Sequence, residues 1–324
     1  MKKAMKITGK VLLIIPALVM VFLLGLFVYH RVMLKKEDKI LENYPGQLVE
    51  VKGHNMNVYV DGTVGQADSG EHTLVFLAPA GDTSPALTFK PLYSRLSGEY
   101  RTVVVEKFGY GMSDVVDTER DYKVMVDECR EALRKSGVEA PYILCPYSKS
   151  GIDTLIWAQE YPNEVEAVIS LDMGFPEHYE NIDTDTKDQS KLLGFLRDIG
   201  IARLFTGDSA FEGMDSKEDI AMARALVNRK YGNKVSFGEI KTIKDAVAQI
   251  NSKPKPDVPM KLFITTGEGT GMDHETWAGI VYDYTDGMSD VEYTELDCTH
   301  NNICTKDPDK VCDEIRAFTA GLDR

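Results

Sequence analysis

Hydrophobic and polar positions along the chain fall into three regimes. Residues 11–28, VLLIIPALVMVFLLGLFV, form an uncharged apolar run of 18 residues, long enough to cross a bilayer as a helix. Pro16 is tolerable in such a helix. From about residue 45 the apolar positions come in short runs punctuated by Gly, Pro and Asp. Residues 47–52 and 55–60 predict an opening hairpin around Gly53 and His54. Further runs at 74–77, 100–105, 142–145, 165–171, 260–265 and 291–296 predict strands. Helical stretches lie between them, such as 152–161, with Ile152, Leu155, Ile156 and Ala158 mostly on one face. This alternation predicts an α/β domain, a mostly parallel sheet with helices on both faces. After Asp172 the alternation stops. Residues 174–255 carry helical patterns alone: Leu192, Leu193, Leu196 and Ile199, then 220–227 and 240–250.

The first regime changes the picture of the whole chain. Lys2, Lys3, Lys6 and Lys10 precede the apolar run, and no small-x-small cleavage site follows it as far as Arg31. A retained transmembrane helix is therefore expected rather than a cleaved signal. Arg31, Lys35, Lys36 and Lys39 flank the far end, but Glu37 and Asp38 dilute them, which tilts the topology to N-terminus inside. The organisation expected is an anchor at 1–30, a linker at 31–44 and a folded domain at 45–324, single-pass and extracytoplasmic.

Charge and cysteines narrow the function classes. The net charge is −14, and without the four lysines of residues 1–10 the remainder has 33 basic against 51 acidic residues, −18. That balance argues against a nucleic-acid surface, which needs clustered cations. Of the five cysteines, Cys129 and Cys145 read as buried small hydrophobes. Cys298, Cys304 and Cys312 cluster around His300 with no zinc spacing, and one pair could form a disulfide in an exported domain.

The candidate chemistry centres on Ser148, in the run Ile143-Leu144-Cys145-Pro146-Tyr147-Ser148-Lys149-Ser150-Gly151, at a sharp strand-to-helix junction. A serine on such a turn has its hydroxyl pushed clear of the backbone, and a hydroxyl needs a base within hydrogen-bond reach to act as a nucleophile. His300 stands in the loop after the strand at 291–296, which a parallel sheet delivers to the same edge. His54, His72, His178 and His274 fall in turns or cap-like segments without that placement, and His30 abuts the apolar run.

With these residues in order, the chain resembles the α/β-hydrolase family. The run Leu74-Val75-Phe76-Leu77-Ala78-Pro79-Ala80-Gly81 is similar to its early strand and oxyanion loop, and YRTVVVEKFGYGMSD (100–114) to the next strand and its exit loop. Residues 161–172 and the segment from Thr299-His300 to Asp307-Pro308 match in the same order. The elbow departs from the family's G-x-S-x-G: it reads Pro146-Tyr147-Ser148-Lys149-Ser150, with Ser150 small enough and Gly151 adding slack.

The resemblance implies a serine hydrolase acting by covalent acyl transfer, esterase-like, with Ser148 as nucleophile and His300 as base. The region 174–255 is then the family's helical cap. The family's later acidic position is vacant here, the turn reading Gly267-Glu268-Gly269-Thr270. Asp172, at the end of the strand after the nucleophile helix, is the first candidate acid, followed by Asp273 and Glu268. The oxyanion donors implied are the backbone N–H groups of Lys149 and of Ala80, with Gly81 close behind; Pro79 has none to give. The Lys149 side chain is expected to point into solvent. No metal or organic cofactor is implied. The partner is a small ester, amide or lipid-like molecule. An aminopeptidase of the proline-iminopeptidase type and a non-catalytic binding protein of the same fold are the alternatives. A haloalkane dehalogenase is disfavoured, since serine stands where that chemistry needs a carboxylate.

Overall fold

The computed structural model of the protein describes residues 2–62, 72–207, 211, 213–214 and 216–322, with side chains from residue 14 onward except that of Lys187. Lys2, Lys3, Lys6 and Lys10, which bear on orientation, lie outside the described side chains.

Eight strands form one sheet: β1 (Gln47–Val51), β2 (His54–Asp61), β3 (Thr73–Leu77), β4 (Arg101–Val105), β5 (Tyr142–Pro146), β6 (Val165–Leu171), β7 (Met260–Ile264) and β8 (Val291–Glu295). Their order across the sheet is β1-β2-β4-β3-β5-β6-β7-β8. The opening hairpin pairs antiparallel to itself and to β4, and every later pair is parallel. The expected α/β-hydrolase architecture is therefore present.

The helices are α1 (Lys2–Leu41), α2 (Pro85–Thr88), α3 (Lys90–Leu96), α4 (Tyr122–Lys135), α5 (Ser150–Glu160), α6 (Lys187–Asp198), α7 (Ala202–Phe205), α8 (Lys217–Lys230), α9 (Lys234–Asn251), α10 (His274–Thr285) and α11 (Pro308–Leu322). Strand alternation sorts them into two layers. Val75, Leu77, Leu144, Val168 and Leu262 face a core shared with α4, α5, α9 and α10. Leu74, Phe76, Ile143, Cys145 and Phe263 face the other, shared with α3 and α11. Both faces of the central strands are thus dry, which explains their continuous apolar runs.

Helices α6 to α9 all fall between β6 and β7, in the stretch where strand patterns stop. The only candidate membrane span among the described residues is Ile14–Leu41, with mean hydropathy 2.1 in its most apolar window. Residues 31–41, expected as a linker, instead continue α1 without a break. The reason is a buried stripe that runs past the apolar segment: Leu26, His30, Glu37 and Leu41 are all buried, at helical spacing. Leu41 and Tyr44 end this stripe in a cluster with Leu87, Met222 and Leu226, tying α1 to α2 and α8.

The five cysteines are all buried free thiols. The disulfide considered among Cys298, Cys304 and Cys312 is not formed. Burial pushes the Cys298 and Cys312 thiols up to about 11.

Candidate active site

Ser148 occupies the turn between β5 and α5 with φ +56, a left-handed conformation that a non-glycine residue adopts at a cost of about 1–3 kcal/mol. Four hydrogen bonds hold the turn. The Gly151 and Gly174 N–H groups donate to the Ser148 carbonyl at 3.0 and 2.8 Å. The Ser150 hydroxyl accepts from the Tyr147 N–H at 2.8 Å and lies 2.7 Å from the Leu77 carbonyl, to which it donates. Ser150 is thereby committed to the backbone, and Ser148 has its hydroxyl free for the cleft. Gly151, not Ser150, meets the tightest packing: a Cβ there would lie 2.2 Å from the Gly174 carbonyl oxygen. Pro146 closes β5, where its missing N–H is harmless because the next residue, Tyr147, donates to Leu77 at 3.0 Å.

The structure brings three of the expected residues into one hydrogen-bond chain. His300 Nε2 lies 2.8 Å from Ser148 Oγ, and His300 Nδ1 lies 2.5 Å from Asp172 Oδ2. A carboxylate can only accept, so Nδ1 carries the proton and the Nε2 lone pair faces the serine hydroxyl. Such a chain can draw a proton from the hydroxyl to the ring. His300 opens a 3-10 turn after β8 and is braced on both sides: its N–H donates to the Glu268 carbonyl at 2.8 Å, and its carbonyl accepts from the Tyr147 hydroxyl at 2.6 Å.

Asp172 follows β6 with φ +54. Besides His300 it accepts from Trp277 Nε1 (2.8 Å), the Thr265 N–H (3.0 Å) and the Thr265 hydroxyl (2.7 Å). Four donors from three further elements fix its orientation. Asp273 is elsewhere: it caps α10, accepting from the Thr276 N–H at 2.8 Å. Those Thr276 hydrogen bonds hold its carboxyl below the usual range. Glu268 has an exposed side chain and reaches His300 only through its backbone.

Of the backbone donors near Ser148, the Gly81 N–H is directed at the Tyr110 hydroxyl, 3.2 Å away. Among the described residues the Ala80 and Lys149 N–H groups have no such partner.

The Lys149 side chain corrects the sequence expectation. It is buried, and its ammonium lies 2.5 Å from Glu239 Oε2 on α9 and 3.3 Å from the Tyr122 hydroxyl. Lys107 joins the cluster, 3.0 Å from Asp153 and 3.5 Å from Glu239. Burial would raise the Glu239 carboxyl, but Lys107 and Lys149 outweigh it and hold it well below the usual carboxylate range. The Tyr110 hydroxyl also donates to Glu239, at 2.8 Å. Lys149 turns inward because a buried carboxylate from another helix awaits it. One signal of this was present in the sequence: on α9 the buried stripe reads Val235, Glu239, Ile243, Val247, with a carboxylate at an apolar position.

A cleft of about 510 Å³ opens over Ser148 and His300, lined also by Ala80, His178, Ile182, Met272 and Trp277. His178 stacks on Trp277 with ring centroids 4.0 Å apart. Its Nδ1 accepts from the Phe175 N–H at 2.9 Å, so Nε2 holds the proton and faces the Trp277 carbonyl. Burial lowers its pKa to about 4, keeping the ring neutral. Sequence reading passed over His178, Tyr147 and Trp277, because their value comes from contacts between segments far apart in the chain.

No protein-family profile matches the sequence. The chain is 40% identical over 205 residues to the uncharacterized protein YbdG of Bacillus subtilis, a match covering 63% of this chain and 61% of that relative's length. Among solved structures, an epoxide hydrolase from Bacillus megaterium superposes with TM-score 0.62 at 14% identity, covering 85% of this chain and all of that one. The enol-lactonase from Burkholderia xenovorans does so with TM-score 0.61 at 16% identity, over 85% and 100%. The strand order and these likenesses agree: this chain has the α/β-hydrolase fold.

Proposed function

We propose that the protein is a membrane-anchored serine hydrolase that cleaves an uncharged ester by covalent acyl transfer. One observation carries the reading: the continuous hydrogen-bond chain from Ser148 through His300 to Asp172. In this mechanism Ser148 Oγ attacks the carbonyl carbon while His300 Nε2 takes its proton. Asp172 holds the ring with Nδ1–H inward and stabilises the imidazolium. The oxyanion is held by the Lys149 and Ala80 N–H groups. His300 then protonates the leaving alcohol, and water, activated by the same ring, releases the acid.

A neutral ester fits the cleft best, because its lining combines aromatic, aliphatic and amide groups without an acidic side chain among the described residues. An aminopeptidase would want a carboxylate there to hold the substrate amine. The helices α6 to α9 act as the cap in this reading, and α1 as the anchor with its apolar stretch in the bilayer.

The test is labelling of the full-length protein in membranes with a fluorophosphonate probe. Labelling of the parent and its loss in Ser148→Ala, with unchanged thermal unfolding, is the expected result, and ester turnover should fall by several orders of magnitude, roughly 10⁶ in the best-studied triad. Equal turnover in Ser148→Ala, or no labelling of the parent, would leave the binding-protein alternative.

A further inference from the structure

We infer that the α6–α7 corner is a second membrane contact, seated in the lipid interface beside the point where α1 leaves the bilayer. This rests on the anchor reading given above. The corner is bolted to α1 at a defined height. Arg203 of α7 donates to His30 Nδ1 at 2.7 Å and, through both terminal nitrogens, to Glu37 at 2.5 and 2.8 Å. Gly200, with φ +86, lets the chain turn against α1, since a Cβ there would lie 2.6 Å from His30 Cβ. His30 is two residues beyond the end of the apolar run at Val28, about 3 Å along a helix.

At that height the corner presents apolar surface to the outside. Leu192 and Phe195 on α6 are 57% and 59% exposed, and Leu204 and Phe205 on α7 are 57% and 81% exposed. Among the described residues outside α1, the other large exposed hydrophobics are Leu48, Val115 and Tyr231 and the paired rings of Tyr282 and Tyr293, whose hydroxyls suit a wet surface. These four come from two consecutive helices, and Leu204 and Phe205 directly follow Arg203, which is bonded to His30 within the exposed apolar stretch of α1 from Ile14 to Val32. Aromatic and aliphatic side chains at the end of a membrane helix gain by entering the headgroup and acyl boundary. The Arg203–Glu37 pair fixes their depth.

The test uses the full-length protein in vesicles of phosphatidylcholine and phosphatidylglycerol, with Phe205→Trp as reporter and Leu192→Trp as a second. The reading is the added emission over the parent, whose Trp157 and Trp277 are buried. Lipids brominated near the headgroup should remove most of the added emission, and aqueous iodide little of it. Extraction of the parent from the vesicles by alkaline carbonate would sink the anchor reading itself. Retention in the vesicles with strong iodide quenching would overturn this proposal alone, placing the corner in water. Retention with neither quencher effective would also overturn it, the surface then being covered by a second copy of the chain.

Discussion

The Lys149 ammonium and the Glu239 carboxylate, 2.5 Å apart and both buried, join the residue after Ser148 to helix α9. Through Tyr110, Glu239 is also one step from the Gly81 N–H in the loop that holds Ala80. Both proposed oxyanion donors therefore lean on one carboxylate from the helical region. A buried pair of this kind contributes little net stability but is costly to break from one side.

Glu239→Gln should accordingly act on both stability and rate. It leaves Lys107 paired with Asp153 and takes away the carboxylate that Lys149 contacts. Removing one partner of a buried pair costs about 3–5 kcal/mol, so a marked drop in thermal midpoint is expected. As Glu239 positions donors rather than touching substrate, kcat should fall more than KM rises. A variant with normal kcat and a lowered midpoint would reduce Glu239 to a purely structural role.

Asp172→Asn and Asp273→Asn should separate sharply. In Asp172→Asn the amide oxygen replaces Oδ1, which accepts from Trp277 and Thr265. The amide nitrogen then faces His300 Nδ1 and forces that atom to accept, which moves the ring proton to Nε2, against Ser148. The cost of such a tautomer switch in a serine protease is about 10⁴ in turnover. Asp273 caps α10, and Asn caps nearly as well as Asp, so that variant should keep both its activity and its unfolding temperature. Parent-like turnover in Asp172→Asn would remove Asp172 from the mechanism.

His178 sets a pH dependence of stability with a definite sign. Its pKa is lowered to about 4 in the folded protein from the ordinary 6.5. Between these values the unfolded chain binds more protons, so stability from this group rises with pH. It is fully present above pH 6.5 and lost as pH falls through 4, on the order of a few kcal/mol in all. Unfolding temperatures measured from pH 4 to 7 should climb less steeply in His178→Gln than in the parent. Identical slopes would mean that His178 is not neutral in the folded state.

The sequence by itself determined the sheet, the order of its elements and the position of the turn at Ser148. Period-two and continuous apolar runs report local burial, and each strand from β3 to β7 carries its own, whereas the edge strand β8 is mostly exposed. It also separated the apolar N-terminal run from the acidic remainder, since length and composition need no partner. Tertiary structure decided what depends on segments meeting. Asp172 rather than Asp273 meets His300 because β6 and β7 lie side by side and the Thr265 and Trp277 donors close around that one carboxylate. Lys149 turns inward because α9 brings Glu239 over it, 90 residues along the chain. Residues 31–41 stay helical because α8 and Arg203 supply partners for Glu37 and His30. Charge and polarity in a sequence say that a group needs water or a partner, and only the fold decides which of these it receives.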